Sequence, residues 1–239
     1  MKYIYGPVQS RRLGLSLGIS LTPYKICTFD CVYCQLGVTT LKTQEIKEYI
    51  RAQDILEELR IWLQLNNQDS KNLSYITLSG AGEPTLNSQI GTLIVHIKSL
   101  TSTPVAVITN ASLLASDVVR QRVLSADIIV PSLDAVTSRI FAKIDRPLPE
   151  IKIEEIIEGL IKLRSEFPGK IWLEIMLVKG MNDDVRHIRK LREVIERIDP
   201  EKIHLNSPVR TTAEPNVLAV DRKKLEKIQE ILGEKTQII

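Results

Sequence analysis

Leu15-Ser16-Leu17-Gly18-Ile19-Ser20-Leu21, then Thr22-Pro23-Tyr24, then Cys27-Thr28-Phe29-Asp30-Cys31-Val32-Tyr33-Cys34: this stretch decides how the chain reads. The apolar run has the length and composition of a strand, and Thr-Pro-Tyr ends it. Three thiols follow within eight residues, spaced C-x-x-x-C-x-x-C, and the chain has no other cysteine. An odd, clustered set is not a secreted disulfide framework, which is even in number and spread out. Thiolates are soft ligands that suit iron–sulfur clusters and zinc. A cubane 4Fe–4S cluster normally takes four protein ligands, so three cysteines leave one iron open to water, a substrate or a cofactor. Zinc would need a fourth ligand from His96, His187, His204 or an acidic side chain, and these histidines lie far from the cluster and form no close pair. Ligand softness and spacing favour the iron–sulfur cluster over zinc and over simple buried thiols.

Working outward, short β-rich runs alternate with helical patterns. After the first strand, Ile55, Leu56, Leu59, Trp62 and Leu63 recur at helical spacing within Ala52 to Leu65, and Asn66 to Ser70 reads as a loop. Further strands are expected at Tyr75–Leu78, Val105–Ile108, Asp127–Pro131, Ile171–Val178 and Lys202–Leu205. The helices between and after them fall near Ile90–Leu100, Ser116–Leu124, Ile153–Phe167, Val185–Ile198 and Arg222–Leu232. Six strands alternating with helices favour a parallel sheet with helical crossovers, an α/β fold. Right-handed crossovers place every strand exit on one face. A partial barrel and a doubly wound open sheet both satisfy the pattern, and periodicity alone does not choose between them.

The exits carry polar and glycine-containing segments. They are the cysteine loop, Ser79-Gly80-Ala81-Gly82-Glu83-Pro84, Thr109-Asn110-Ala111-Ser112, Ser132-Leu133-Asp134, Lys179-Gly180-Met181-Asn182-Asp183 and Asn206-Ser207-Pro208-Val209-Arg210. That face bears the active site in parallel α/β folds. Helix starts also need caps there, so part of the pattern is structural.

The cysteine loop, with Tyr33 as the aromatic residue before its last Cys, resembles the signature of the radical S-adenosylmethionine (SAM) superfamily. Gly80-Ala81-Gly82-Glu83-Pro84 resembles that family's Gly-Gly-Glu-Pro motif, with Ala81 in place of the first Gly. The leader Gly6 to Gly14, with Leu17-Gly18-Ile19, resembles a subgroup of uncharacterised iron–sulfur oxidoreductases grouped with the tRNA wyosine-synthesis branch. The resemblance runs from about Gly6 to Arg210. It implies a partial (β/α)6 barrel forming one core domain over residues 1–239, with the core at about 13–210 and a terminal helix at about 221–233. It implies a 4Fe–4S cluster on Cys27, Cys31 and Cys34, with the SAM amino and carboxylate groups on the fourth iron. One electron then cleaves SAM to methionine and a 5′-deoxyadenosyl radical, which takes hydrogen from a substrate. An external one-electron donor, flavodoxin or ferredoxin, is implied. A nucleic-acid substrate follows from family analogy alone.

The resemblance implies cofactor contacts from Tyr33, Gly80, Gly82, Glu83, Asn110, Ser132, Asp134 and Asn182. All but Tyr33 have a plainer alternative. Glu83 and Pro84 also suit a helix start, with Glu83 capping. Asn110 also suits an Asx turn, Ser132 and Asp134 suit caps, and Asn182-Asp183 suits a turn before a helix. Asn206 and Arg210 can anchor an anionic substrate group. Arg11 and Arg12 can bind phosphate or close the floor of the barrel, and Asp145-Arg146-Pro147 is another substrate-side candidate. The Lys-rich segment from Arg222 to Lys227 reads as a solvated helix face.

Composition excludes several classes. The 239 residues carry 32 Lys and Arg against 29 Asp and Glu, a formal +3, which is not a basic nucleic-acid coat. Aromatic residues make up 5%, too few for a base-stacking stripe. No apolar run reaches the ~18–20 residues that span a bilayer, and the start has no signal-peptide pattern, so a cytoplasmic, membrane-free protein is expected. The rival reading is an iron–sulfur electron-transfer protein that does not cleave SAM. Ferredoxins use four Cys per cluster, and the large α/β body argues for the enzyme.

Overall fold

The computed structural model describes all 239 residues. The strands are β1 (Ile4–Ser10), β2 (Gly14–Ser20), β3 (Ile26–Cys27), β4 (Leu41–Lys42), β5 (Tyr75–Ser79), β6 (Val105–Thr109), β7 (Ile128–Pro131), β8 (Lys170–Met176), β9 (Lys202–Asn206) and β10 (Thr236–Ile238). The helices are α1 (Ala52–Leu65), α2 (Asn67–Ser70), α3 (Ile90–Leu100), α4 (Asp117–Val123), α5 (Ser138–Ile144), α6 (Ile153–Glu166), α7 (Val185–Ile198) and α8 (Arg222–Leu232), with a 3-10 turn at Pro84–Leu86.

The main sheet runs β1-β2-β5-β6-β7-β8-β9-β10. Only β1 is antiparallel to its neighbour, and every other pairing is parallel. From β2 to β9 the spatial order follows the chain. A doubly wound sheet reverses its order at a switch point, and this one does not, so the fold is the partial barrel. β3 and β4 form a separate two-stranded pair beside the mouth.

Two apolar layers hold the barrel. Ile171, Leu173 and Ile175 of β8 face outward and join the main core with Ile55 and Leu59 of α1, Leu160 of α6, and Ile188 and Leu191 of α7. Trp172 faces inward, with Leu13, Ala106, Ile128 and Val130 in a smaller cluster. This is the two-fold alternation of a strand buried on both faces. Burial at helical spacing gives α7 one apolar face, and Asp184 caps its start by accepting from His187 N at 3.0 Å.

Several elements differ from the sequence reading, among them the two-residue strands β3 and β4, too short to register. β1 shows no alternation because only Ile4 is buried, and it carries Pro7, which an edge strand tolerates. β10 is three residues long, too short to register. α5 has seven residues, about two turns, and shows no helical period. Asn67–Ser70 is one helical turn rather than a loop. No helix is long and apolar enough to cross a membrane.

Candidate active site

The cysteine loop leaves β2 and is tied down from three sides. Glu83 N donates to the Ile26 carbonyl at 3.1 Å. Asp30 N and Val32 N donate to the carbonyls of Asp145 and Ile144, at 3.0 and 2.9 Å. Leu148 N donates to the Thr28 carbonyl at 3.2 Å, and Glu214 N to the Val32 carbonyl at 3.1 Å. Segments following β5, β7 and β9 thus meet on one loop. The three thiols are free and half-buried. Burial, with Glu83 nearby, pushes Cys27 up to about 11. Burial and Asp145 push Cys31 well above the ordinary thiol range. Such thiols ionise poorly alone, and a cationic iron centre would relieve both penalties. No three His, Cys, Asp or Glu side chains converge closely enough for a single metal ion. Cysteines that share a cubane sit on different irons and need not converge that far. In donor chemistry and placement the loop therefore fits a cluster.

Gly80 and Gly82 let the β5 exit press on this loop. Gly80 sits at φ +104°, a conformation that favours glycine. A Cβ at Gly82 would lie 1.7 Å from the Ile26 carbonyl oxygen. Glu83 is buried between them. Its Oε1 accepts from Thr85 N at 3.1 Å and from the hydroxyls of Thr85 and Thr109, both at 2.6 Å. Its Oε2 accepts from Asn110 N at 2.8 Å. Burial raises its pKa above the glutamate range, against the pull of these donors. The sequence reading put this carboxylate on the cofactor, but the structure commits both oxygens to binding two strand exits together. It also caps the 3-10 turn, as the plainer reading had it.

Asn110 serves two purposes. Its Oδ1 accepts from Ser112 N at 3.0 Å, which is the Asx turn. Its Nδ2 donates to Thr28 Oγ1 at 2.8 Å and to Cys27 Sγ at 3.5 Å, joining the β6 exit to the thiol loop.

Beside Cys31 lies a buried acid group. The Tyr33 hydroxyl donates to Asp134 Oδ2 and, at 3.5 Å, to Asp145 Oδ1. Cys31 Sγ donates to that same Asp145 oxygen at 3.6 Å. Asp134 Oδ1 accepts from Met176 N at 2.7 Å. Burial raises both carboxyls, Asp134 to about 7. Tyr33, Asn110, Ser132, Asp134 and Asp145 line one cavity of about 10 Å³, room for a single water. Asp145 was named in the sequence only as a substrate-side candidate. Its place beside Cys31 depends on α5, a seven-residue helix too short to show a helical period.

Other candidates are placed elsewhere. Asn182 is fully buried. Its Nδ2 donates to the carbonyls of Asp134 and Met176 at 2.8 and 2.9 Å, and its Oδ1 accepts from Val178 N at 2.8 Å. It clamps the β8 exit and reaches no ligand space, which corrects the cofactor-contact expectation. Asp183 accepts from Gly180 N and from Lys224 Nζ, holding α8. Arg12 enters the barrel to pair with Glu174, and Arg11 donates to Asn206 Oδ1 and the Ile239 carbonyl. The arginine pair thus ties the turn after β1 to β8, β9 and the chain end, and Asn206 belongs to that network. Arg210 is exposed, 3.5 Å from Gln35 Oε1.

Comparison with known proteins then decides the family. Residues 21–192 match the model of the radical SAM superfamily. The chain belongs to that superfamily. A UPF0026 protein of Methanocaldococcus jannaschii is 34% identical over 238 residues, covering 98% of this chain and 73% of that protein, so the chain belongs to the UPF0026 family as well. A Brachyspira hyodysenteriae protein named GTPase Obg is 39% identical over 226 residues, which is 95% of this chain but 33% of that protein. The phosphate-binding pattern G-x-x-x-x-G-K-[ST] does not occur in this radical SAM chain. Among solved structures, a radical SAM methyltransferase from Sphaerobacter thermophilus superposes with a TM-score of 0.71 at 16% identity, covering 94% of this chain and 65% of that one. TYW1 with a lysine–pyruvate adduct bound superposes with a TM-score of 0.63 at 20% identity, covering 91% and 72%. These likenesses show the partial-barrel fold. Members of the superfamily are enzymes that use a 4Fe–4S cluster and SAM.

Proposed function

We propose that Cys27, Cys31 and Cys34 hold a 4Fe–4S cluster and that the chain reductively cleaves SAM to abstract hydrogen from a substrate. One observation carries this reading: the three free thiols lie on a single loop fastened by the exits of a six-strand parallel barrel. When bound, the cluster supplies the electron that splits SAM into methionine and a 5′-deoxyadenosyl radical.

The protein's part is positioning and exclusion of water. Gly80 and Gly82 keep backbone close to the loop, leaving their carbonyls as acceptors for the SAM amino group. Glu83 and Asn182 act one step back, holding that backbone in place. Ser132 makes no side-chain hydrogen bond within the chain and is free for a ligand hydroxyl or carboxylate. Tyr33, Asn110 and Asp134 present a phenol, an amide and a carboxyl beside the thiols. An external one-electron donor of the flavodoxin or ferredoxin kind completes the system, and a cytoplasmic setting suits it.

The test is anaerobic reconstitution with iron and sulfide, read by metal analysis and electron paramagnetic resonance. Wild type should hold about four irons per chain, and SAM should shift the reduced signal. Cys31→Ala should lose both. Full iron loading in Cys31→Ala, or zinc in place of iron, would overturn the assignment.

A further inference from the structure

Away from the thiols, a cleft of about 360 Å³ opens between α5 and α7. That is within the size range of small-ligand sites. Arg139 and Lys143 line it from α5, and Arg186 and Lys190 from α7. Lys143 Nζ donates to the Gly180 carbonyl at 3.2 Å. Arg139, Arg186 and Lys190 are exposed and make no hydrogen bond or ion pair within the chain. Asp184 is the single carboxylate facing these four cations.

Two further features define the cleft. His187 lines it with 3% of its surface exposed. Its ring turns inward toward the Asp134 carbonyl, which also accepts from Asn182 Nδ2 at 2.8 Å, so the imidazole forms a wall of the cleft and leaves the cations to meet a ligand. The first turn of α7 also contains no acid and carries Arg186 instead. Asp184 caps this helix start, and its one carboxylate leaves the four cations in excess, which suits an incoming anion.

We propose that this cleft binds a phosphate group and anchors a phosphate-bearing substrate. Cations on two facing helices suit a group with several oxygens and more than one negative charge. The anchoring role rests on the radical reading above, whereas phosphate binding does not. The cleft lies close to the thiol loop, for Asp134 turns its carbonyl to His187 and its carboxyl to Tyr33.

The experiment titrates the reconstituted full chain with three probes: inorganic phosphate, glycerol 3-phosphate and a fluorescent single-stranded RNA 12-mer. The comparison is the double variant Arg139→Gln/Arg186→Gln, whose positions are exposed and unpaired, with its thermal melt as the folding check. Phosphate binding should weaken tenfold or more in the variant. If glycerol 3-phosphate competes for the site, the source is a small ester. If RNA binds and its salt slope falls by about one per removed cation, the source is a polynucleotide. Failure of all three probes to bind wild type, or equal binding by the variant, overturns the proposal. The titration needs no turnover. A failure of SAM cleavage therefore leaves this result standing, and a failure here leaves the radical reading standing.

Discussion

Replacing Glu83 tests the most specific claim about the site, that this carboxylate holds the protein to itself. In Glu83→Ala, the N–H groups of Asn110 and Thr85 lose their acceptor. Each buried orphaned donor costs about 1–3 kcal/mol, so the pair costs about 2–6 kcal/mol. The hydroxyls of Thr85 and Thr109 rotate to other acceptors and add little. Removing Glu83 also removes the penalty of burying its carboxyl, which its raised pKa reports. The expected loss therefore lies in the lower half of the range, at about 3 kcal/mol. Glu83→Gln keeps the shape but has one acceptor oxygen. If that oxygen serves the three donors at Oε1, the amide faces the Asn110 N–H, and about 2 kcal/mol is lost. Urea unfolding of the metal-free chain at pH 7 reads both, as midpoint shifts at unchanged slope. Glu83→Ala within about 0.5 kcal/mol of wild type, the scatter of neutral surface changes, would refute this reasoning. If that stable variant also lost SAM binding, Glu83 would return to direct ligand contact.

Three other outcomes follow from particular contacts. Gly82→Ala drives a methyl group into the Ile26 carbonyl. It should cost about 1–3 kcal/mol and lower the iron retained after desalting, and unchanged iron and midpoint would contradict the close packing. Arg12→Ala leaves Glu174 buried without its cation. With Arg12 partly exposed, thermal unfolding should show a loss of about 2–3 kcal/mol, below the range for fully buried pairs; no change would mean that Glu174 does not depend on this cation. Asp134, raised to about 7 in the fold, binds its proton more tightly folded than unfolded. The resulting stability is full below the ordinary aspartate pKa and is lost as pH rises through 7. Wild type relative to Asp134→Asn should lose about 2–3 kcal/mol between pH 5 and pH 8 in the metal-free state. A flat difference would contradict the raised value. Reading the difference cancels the opposing effect of His187 and His204, whose pKa values burial lowers, whereas Asp145, raised in part by the Asp134 charge, titrates with it, so the loss belongs to the pair.

What the sequence made legible was whatever repeats or clusters. The six parallel strands are apolar runs bounded by turn residues, and their observed limits fall within a residue or two of the pattern, as in Lys170–Met176. The thiol spacing stood out because the chain has no other cysteine. What stayed hidden depends on contacts distant in sequence. Glu83 looked like a ligand because its four donors include Thr109 and Asn110, which only strand pairing brings near. Asn182 looked like a loop polar residue because its partner, the Asp134 carbonyl, lies 48 positions away. Asp145 follows a seven-residue helix too short to show a period. The cationic cleft escaped notice because its charges come from two helices and the formal total is only +3.

The most direct test of the radical reading is chemical. The protein is reconstituted anaerobically with iron and sulfide, reduced and mixed with SAM, and the products are followed by mass spectrometry. The account predicts 5′-deoxyadenosine and methionine in equal amounts, lost together in Cys31→Ala. A fully loaded, reduced protein that neither binds nor cleaves SAM would contradict it, and would leave an iron–sulfur protein of another kind.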